Sequence, residues 1–145
     1  MIHFDIEALL TDISPEAPCG EDLSYDIEFL ELEQLARGTE ETQVGDHIQE
    51  REEPDWEKVT NRSLKLLERS RDLRLILYLT VASLSLNGLS GFHDGLALLQ
   101  GVVTRYWDHL FPQLDPEDNN DPMERINIIA SLSPPPSVMS DQDIM

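Results

Sequence analysis

Apolar residues recur at three- and four-residue steps along most of this chain, the period of a helix face rather than of a strand. Ile6, Leu9, Leu10 and Ile13 predict a short opening helix. Pro15 stops it, because proline disfavours helical backbone in the residue before it. Asp26 is placed to cap a second helix, in which Phe29, Leu32, Leu35 and Ala36 share a face while Ile27 and Leu30 point elsewhere. Gly38 supplies its stop. Pro54 and Asp55 announce a third helix, with Trp56, Val59, Ser63, Leu66, Leu67 and Ser70 along the side that faces the core.

From Leu73 to Leu86 the apolar residues cover nearly every direction around the axis, which predicts a central, buried helix. A membrane span would take about 20 apolar residues, and this run is shorter and interrupted by Arg74. Asn87 and Gly88 close it, and Ser90 opens a fifth helix with Phe92, Leu96, Leu99, Val103, Tyr106 and Leu110 on one stripe. The stretch "DPEDNNDPMER" leads into a sixth, where Asp121 caps, Pro122 takes the first helical position and Glu124 reaches back in a capping box. No alternating pattern of useful length is present. The prediction is an all-α bundle of about six helices.

Two stretches fall outside that pattern. Residues 38–54, "GTEETQVGDHIQEREEP", hold only Val44 and Ile48 as aliphatics and are long for a loop in a compact domain, so a mobile acidic loop is expected there. After Leu132 the proline-rich "SPPPSVMSDQDIM" favours an extended linker. The domain is therefore expected to span 1–132, with 133–145 a tail leading to a region absent from this chain.

Charge narrows the partners. Lys and Arg total 10 against 29 Asp and Glu, for a formal charge of -19, so the surface repels phosphate backbones and anionic lipid. Nucleic acid and direct membrane insertion are not expected. A hydrophobic fraction of 40% is too high for a wholly disordered acidic chain. The single cysteine allows no internal disulfide and the N-terminus lacks a secretory signal, which points to the cytoplasm.

Chemistry centres on whether Cys19 reacts. A nucleophilic cysteine must be a thiolate, promoted by cations, a helix N-terminus or a paired histidine. The sequence neighbours are Glu16, Glu21 and Asp22, which favour the neutral thiol, and no cysteine protease signature surrounds it. His3, His47, His93 and His109 are scattered, with no i, i+4 pair to hold zinc. A calcium loop begun at Asp115 would want glycine and glutamate where Asn120 and Ile126 stand. Gly95 and Gly101, inside a helix, suit close packing rather than a phosphate loop. Catalytic, cofactor and metal residues are thus expected to be none. The alternative, a small cytosolic hydrolase using Cys19 or a carboxylate pair, requires a pocket joining them. An acidic nucleic-acid mimic fits the charge but not a helical docking face.

One cationic feature stands out. Lys58, Arg62, Lys65 and Arg69 step by four, three and four residues and form a basic stripe on the third helix. Two uses are open: internal pairing with Glu28, Glu31 and Glu33, or docking of an acidic protein. If the stripe docks a partner, reversing Arg62 and Arg69 should leave the fold intact. Tyr106, Trp107 and Phe111 cluster at a helix end and are expected to seal the core.

Taken together, "ISPEAPCGEDLSYDIEFLELE", "EREEPDW", "LLERSRDLRLILYLT", "GLSGFHDGLALLQG" and "YWDHLFPQLDPEDNNDPMER" resemble the ImpA-related N-terminal domain of TssA proteins, components of bacterial type VI secretion systems. The resemblance runs from about Ile13 to Leu132. It implies a non-catalytic cytoplasmic assembly protein that contacts baseplate, tail-tube or sheath components. It also implies that Pro18, Cys19, Gly20, Glu21, Asp22, Tyr25 and Asp26 form a family signature, physically a turn that caps and orients the second helix. In such proteins a variable C-terminal region builds large rings, so the full-length protein is expected to be homo-oligomeric through that region.

Overall fold

The computed structural model describes residues 4–37, 42–44, 47–49 and 53–132. Helix α1 (Ile6–Leu9) is a single turn capped by Asp5, whose carboxylate accepts from the Ala8 amide at 3.3 Å. It ends at Leu10, well before Pro15. Helix α2 (Ile27–Arg37) starts where Asp26 takes the Glu28 amide at 2.9 Å. Helix α3 (Trp56–Leu67) starts at Asp55, which takes the Lys58 amide at 3.2 Å. Each cap satisfies an amide that the first helical turn leaves without a partner.

Helix α4 (Leu73–Tyr106) is broken at Gly88, whose φ of 67° and ψ of -145° suit a residue without Cβ. Its two arms correspond to the fourth and fifth helices of the sequence pattern. They fold back closely: a Cβ on Gly91 would lie 2.1 Å from the Ser83 carbonyl oxygen, and one on Gly95 would lie 2.5 Å from the Thr80 hydroxyl. α4 has the length and hydropathy of a membrane span. The break leaves a first arm too short to cross a bilayer and a second that carries His93, Asp94 and Gln100. A 3-10 turn (Pro116–Asp118) then leads to α5 (Met123–Ala130). Asp121 accepts from the Met123 amide at 3.0 Å, so α5 begins one residue later than expected, with Pro122 at its N-cap.

The described residues thus contain six α-helical segments and one 3-10 turn, and the domain is all-α in architecture. α3 lies along α4 and α2 lies on α3. Phe29, Leu32, Val59, Leu66, Leu73, Leu75, Ile76, Leu79, Leu98 and Val102 are buried between them. Tyr106 and Phe111 are buried at the base, and Trp107 is half-buried beside them. One departure concerns the segment expected to be a loop: β1 (Thr42–Val44) and β2 (His47–Gln49) pair antiparallel, with Gln43 opposite Ile48. The remainder of 38–52 and the proline-rich 133–145 lie outside the described residues.

A second set of backbone bonds ties three distant parts of the chain together. The turn after α3 lies between the cysteine segment and the end of α4. On one side the Arg71 amide donates to the Cys19 carbonyl at 2.7 Å and the Glu21 amide to the Arg69 carbonyl at 3.2 Å. On the other, the Phe111 amide donates to the Arg71 carbonyl at 3.1 Å and the Leu73 amide to the Phe111 carbonyl at 2.9 Å. Buried peptide groups need such partners, and here no helix supplies them.

Candidate partner-docking site

The cysteine segment is a tight turn. The Ile13 amide donates to the Pro18 carbonyl at 2.8 Å and the Gly20 amide to the Ala17 carbonyl at 2.9 Å. Gly20 has φ +78°, and a Cβ there would strike the Arg69 carbonyl oxygen at 2.0 Å, so only glycine fits. Asp22 accepts from the amide and hydroxyl of Ser24 at 2.9 and 2.7 Å, which lowers its carboxyl pKa. Leu23 is fully buried beneath the turn, whereas Tyr25 is 95% exposed.

Structure joins the two features that the sequence presented separately. Arg69, from the basic stripe, donates to Glu21 at 2.6 Å and to Asp26 at 2.7 Å, both in the turn, and lies 3.7 Å from Glu28. Its guanidinium holds the Asp26 carboxyl below the ordinary range, and the two carboxylates raise the arginine in return. Arg62 pairs with Glu31 at 3.3 Å. Glu33 lies elsewhere, accepting from the Tyr78 hydroxyl at 3.2 Å. Thus half of the stripe fastens α2 to α3. Reversing Arg62 and Arg69 would not leave the fold untouched, because Arg69 alone anchors two carboxylates of the turn. Lys58 and Lys65 are exposed and make no ion pair among the described residues. Lys65 lines an open groove with Glu28, Glu31, Arg62 and Leu66.

Cys19 is 2% exposed. Burial pushes its thiol up from 9.0 to about 11, against the opposing pull of Arg71 and Arg125 and with a small contribution from Asp12. The expected cause was anionic sequence neighbours. The dominant cause is desolvation, and the nearest charges of consequence are two buried cations.

Those cations were missed by sequence reasoning: Arg71 stands in the polar stretch from Glu68 to Asp72 and Arg125 follows Glu124, so nothing local marks either as buried. Arg71 is 5% exposed and donates to the Leu67 carbonyl and, at 3.0 Å, to the Thr11 carbonyl. Arg125 is 1% exposed and donates to the carbonyls of Trp107, Leu110 and Pro112 at 2.5, 2.6 and 2.8 Å, with its guanidinium carbon 4.6 Å above the Trp107 ring. It closes the C-terminal end of α4, where unpaired carbonyls and the helix dipole favour a cation. Asp72, fully buried, is held by Arg74 at 2.7 and 3.0 Å, and Arg74 itself lies over the Phe29 ring at 4.6 Å. Among the described residues no group of three His, Cys, Asp or Glu is arranged to hold a metal ion.

Residues 10–134 match the family model described as ImpA, N-terminal, type VI secretion system. The chain belongs to the ImpA N-terminal family. Type VI secretion system component TssA1 of Pseudomonas aeruginosa is 44% identical over 128 residues, covering 88% of this chain and 37% of that protein. The chain therefore spans little more than a third of that relative. The N-terminal domain of TssA from Burkholderia cenocepacia, which includes the conserved ImpA_N region, superposes with a TM-score of 0.74 at 32% identity, over 91% of this chain and 47% of that one. The all-α fold is thus the fold of a TssA N-terminal domain. Arg69 links the α3 stripe to Glu21 and Asp26 of the turn.

Proposed function

We propose that this domain is a non-catalytic interaction module of a cytoplasmic type VI secretion assembly protein, contacting baseplate, tail-tube or sheath subunits. Membership of the ImpA N-terminal family carries the reading, because it covers nearly the whole domain. The buried, proton-holding Cys19 supports it against the cysteine hydrolase: an attacking sulfur must be a thiolate that substrate can reach. The proposed docking surface is the α2–α3 face, where Lys58 and Lys65 are the stripe's cations without an ion pair among the described residues.

The test is a pull-down of this domain against separately purified baseplate, tube and sheath subunits. Lys58→Glu with Lys65→Glu is expected to keep the melting temperature and lose the partner, since both side chains are exposed and unpaired among the described residues. Arg69→Glu is expected to lower the melting temperature by freeing the turn from α3. Capture unchanged in the double lysine variant would remove the docking face from the proposal, and failure to bind any of the three subunits would remove the module.

A further inference from the structure

Helix α2 carries acids on two sides. Glu28 and Glu31 turn toward the basic stripe, whereas Glu33 turns toward α4, where it accepts from the Tyr78 hydroxyl at 3.2 Å. There Glu33 lines an open groove of about 390 Å³ whose other walls include Arg74, Leu77 and Tyr78 of α4 and Glu124 and Ile128 of α5. Leu77 and Ile128 are half-buried and give the groove an apolar floor. Leu30, 44% exposed, stands one helical turn ahead of Glu33 and extends the apolar surface along α2.

Charge selects the occupant. Among the described residues Arg74 is the only cation lining the groove, and its guanidinium is committed to buried Asp72 at 2.7 and 3.0 Å. Glu33 and Glu124 form no ion pair among the described residues, and Arg37, one turn beyond Glu33, lies outside the groove and forms none either. Two uncommitted carboxylates from different helices, beside an apolar floor, complement a cation carried next to an apolar side chain. Nucleic acid and anionic lipid are repelled, and a second copy would bring another charge of -19. Residues 133–145 follow Ser131, itself in the groove wall, but they hold Asp141 and Asp143 and no Lys or Arg.

We infer that the groove formed by α2, α4 and α5 docks a basic amphipathic segment of a partner protein, with a Lys or Arg set against Glu33 and Glu124 and an apolar side chain on Leu77 and Ile128. An amphipathic helix meets this requirement, because residues three or four apart share a face and can present both groups together. The site is separate from the α2–α3 face, whose exposed cations call for acidic side chains, and it does not depend on that reading.

Fluorescence anisotropy on the 145-residue chain tests this with a labelled helical peptide that has leucines along one face and arginines beside them. Glu33→Gln with Glu124→Gln keeps an acceptor for the Tyr78 hydroxyl and should weaken binding about fivefold, the combined effect of two exposed charge pairs. Glu7→Gln with Glu57→Gln removes the same charge from exposed positions on α1 and α3 and should change affinity by less than about twofold. Replacing the peptide's leucines by serine, or its arginines by glutamate, should abolish binding. In methyl NMR spectra the peptide should shift Leu77 and Ile128 first. No binding of the arginine–leucine peptide, equal losses in the two double variants, equal binding of the serine or glutamate peptide, or shifts centred on Leu66 of the α2–α3 face would each overturn the inference. So would displacement of the probe by a peptide of residues 133–145, which assigns the groove to the tail, or Leu77 and Ile128 shifts on diluting the chain alone, which assign it to a second copy.

Discussion

Arg125 offers the sharpest test of the fold's energetics, because a buried guanidinium that forms no ion pair among the described residues has to be justified largely by its hydrogen bonds. It is 1% exposed and donates to three carbonyls within 2.8 Å. Hydrogen bonds to a charged group are worth about 1.5–3 kcal/mol each, and a buried acceptor left without a donor costs about 1–3 kcal/mol. Desolvating the cation offsets part of the gain; that penalty also lowers the guanidinium pKa. The net expectation for Arg125→Met, which keeps an apolar stem of similar length, is a loss of about 3–5 kcal/mol, comparable to breaking a buried charged contact. For a domain of this size that is a fall of about 10 °C or more in melting temperature. Arg125→Lys separates charge from geometry. A point ammonium cannot serve three carbonyls arranged around a planar fork, so lysine should recover less than half of the loss. Urea titration followed by far-ultraviolet circular dichroism measures both. A methionine variant within about 1 kcal/mol of wild type would show that stem packing, not the hydrogen bonds, holds the end of α4.

Cys19 gives a pH signature. Its folded thiol titrates near 11 against an ordinary 9.0, so the unfolded chain releases the proton first. Stability tied to the protonated thiol is therefore complete below pH 9 and lost as pH rises toward 11, a change of about 2–3 kcal/mol that Cys19→Ala should not show. Denaturant midpoints of the two proteins compared at pH 8 and pH 11 check it, and parallel losses would contradict the burial argument. Close packing of the α4 arms predicts a contrast between two glycines. Gly91→Ala drives a Cβ into the Ser83 carbonyl and should cost about 3 kcal/mol. Gly101→Ala meets only the flexible Leu10 side chain and gains about 1 kcal/mol of helix propensity, so its denaturant midpoint should lie near that of wild type.

Much of this was legible in the sequence because it is local. Asp26 and Asp55 each accept an amide from the helix that follows, and Gly88 breaks α4 where the pattern placed a boundary. Caps and left-handed glycines act within a few residues, so a one-dimensional reading reaches them. α1 was overextended because the apolar spacing of Leu10 and Ile13 serves packing around a turn as well as it serves a helix. The stripe on α3 was visible, but its partners were not. Arg69 reaches Glu21 across 48 positions of sequence, and periodicity carries no information at that range. The same holds for Cys19. Its sequence neighbours are anionic, while the dominant influence in space is burial, opposed chiefly by Arg71 and Arg125.

The backbone ties among Cys19, Arg71 and Phe111 bear on where this domain can be divided. Residues ahead of α2 hold barely one turn of helix and would look expendable to anyone trimming to the bundle. Removing them would strip the acceptor from the Arg71 amide, the donor from the Arg69 carbonyl, and the Thr11 carbonyl from a buried guanidinium. The leading segment is masonry rather than trim: the smallest unit that keeps α3 and α4 joined as they are here begins ahead of the cysteine.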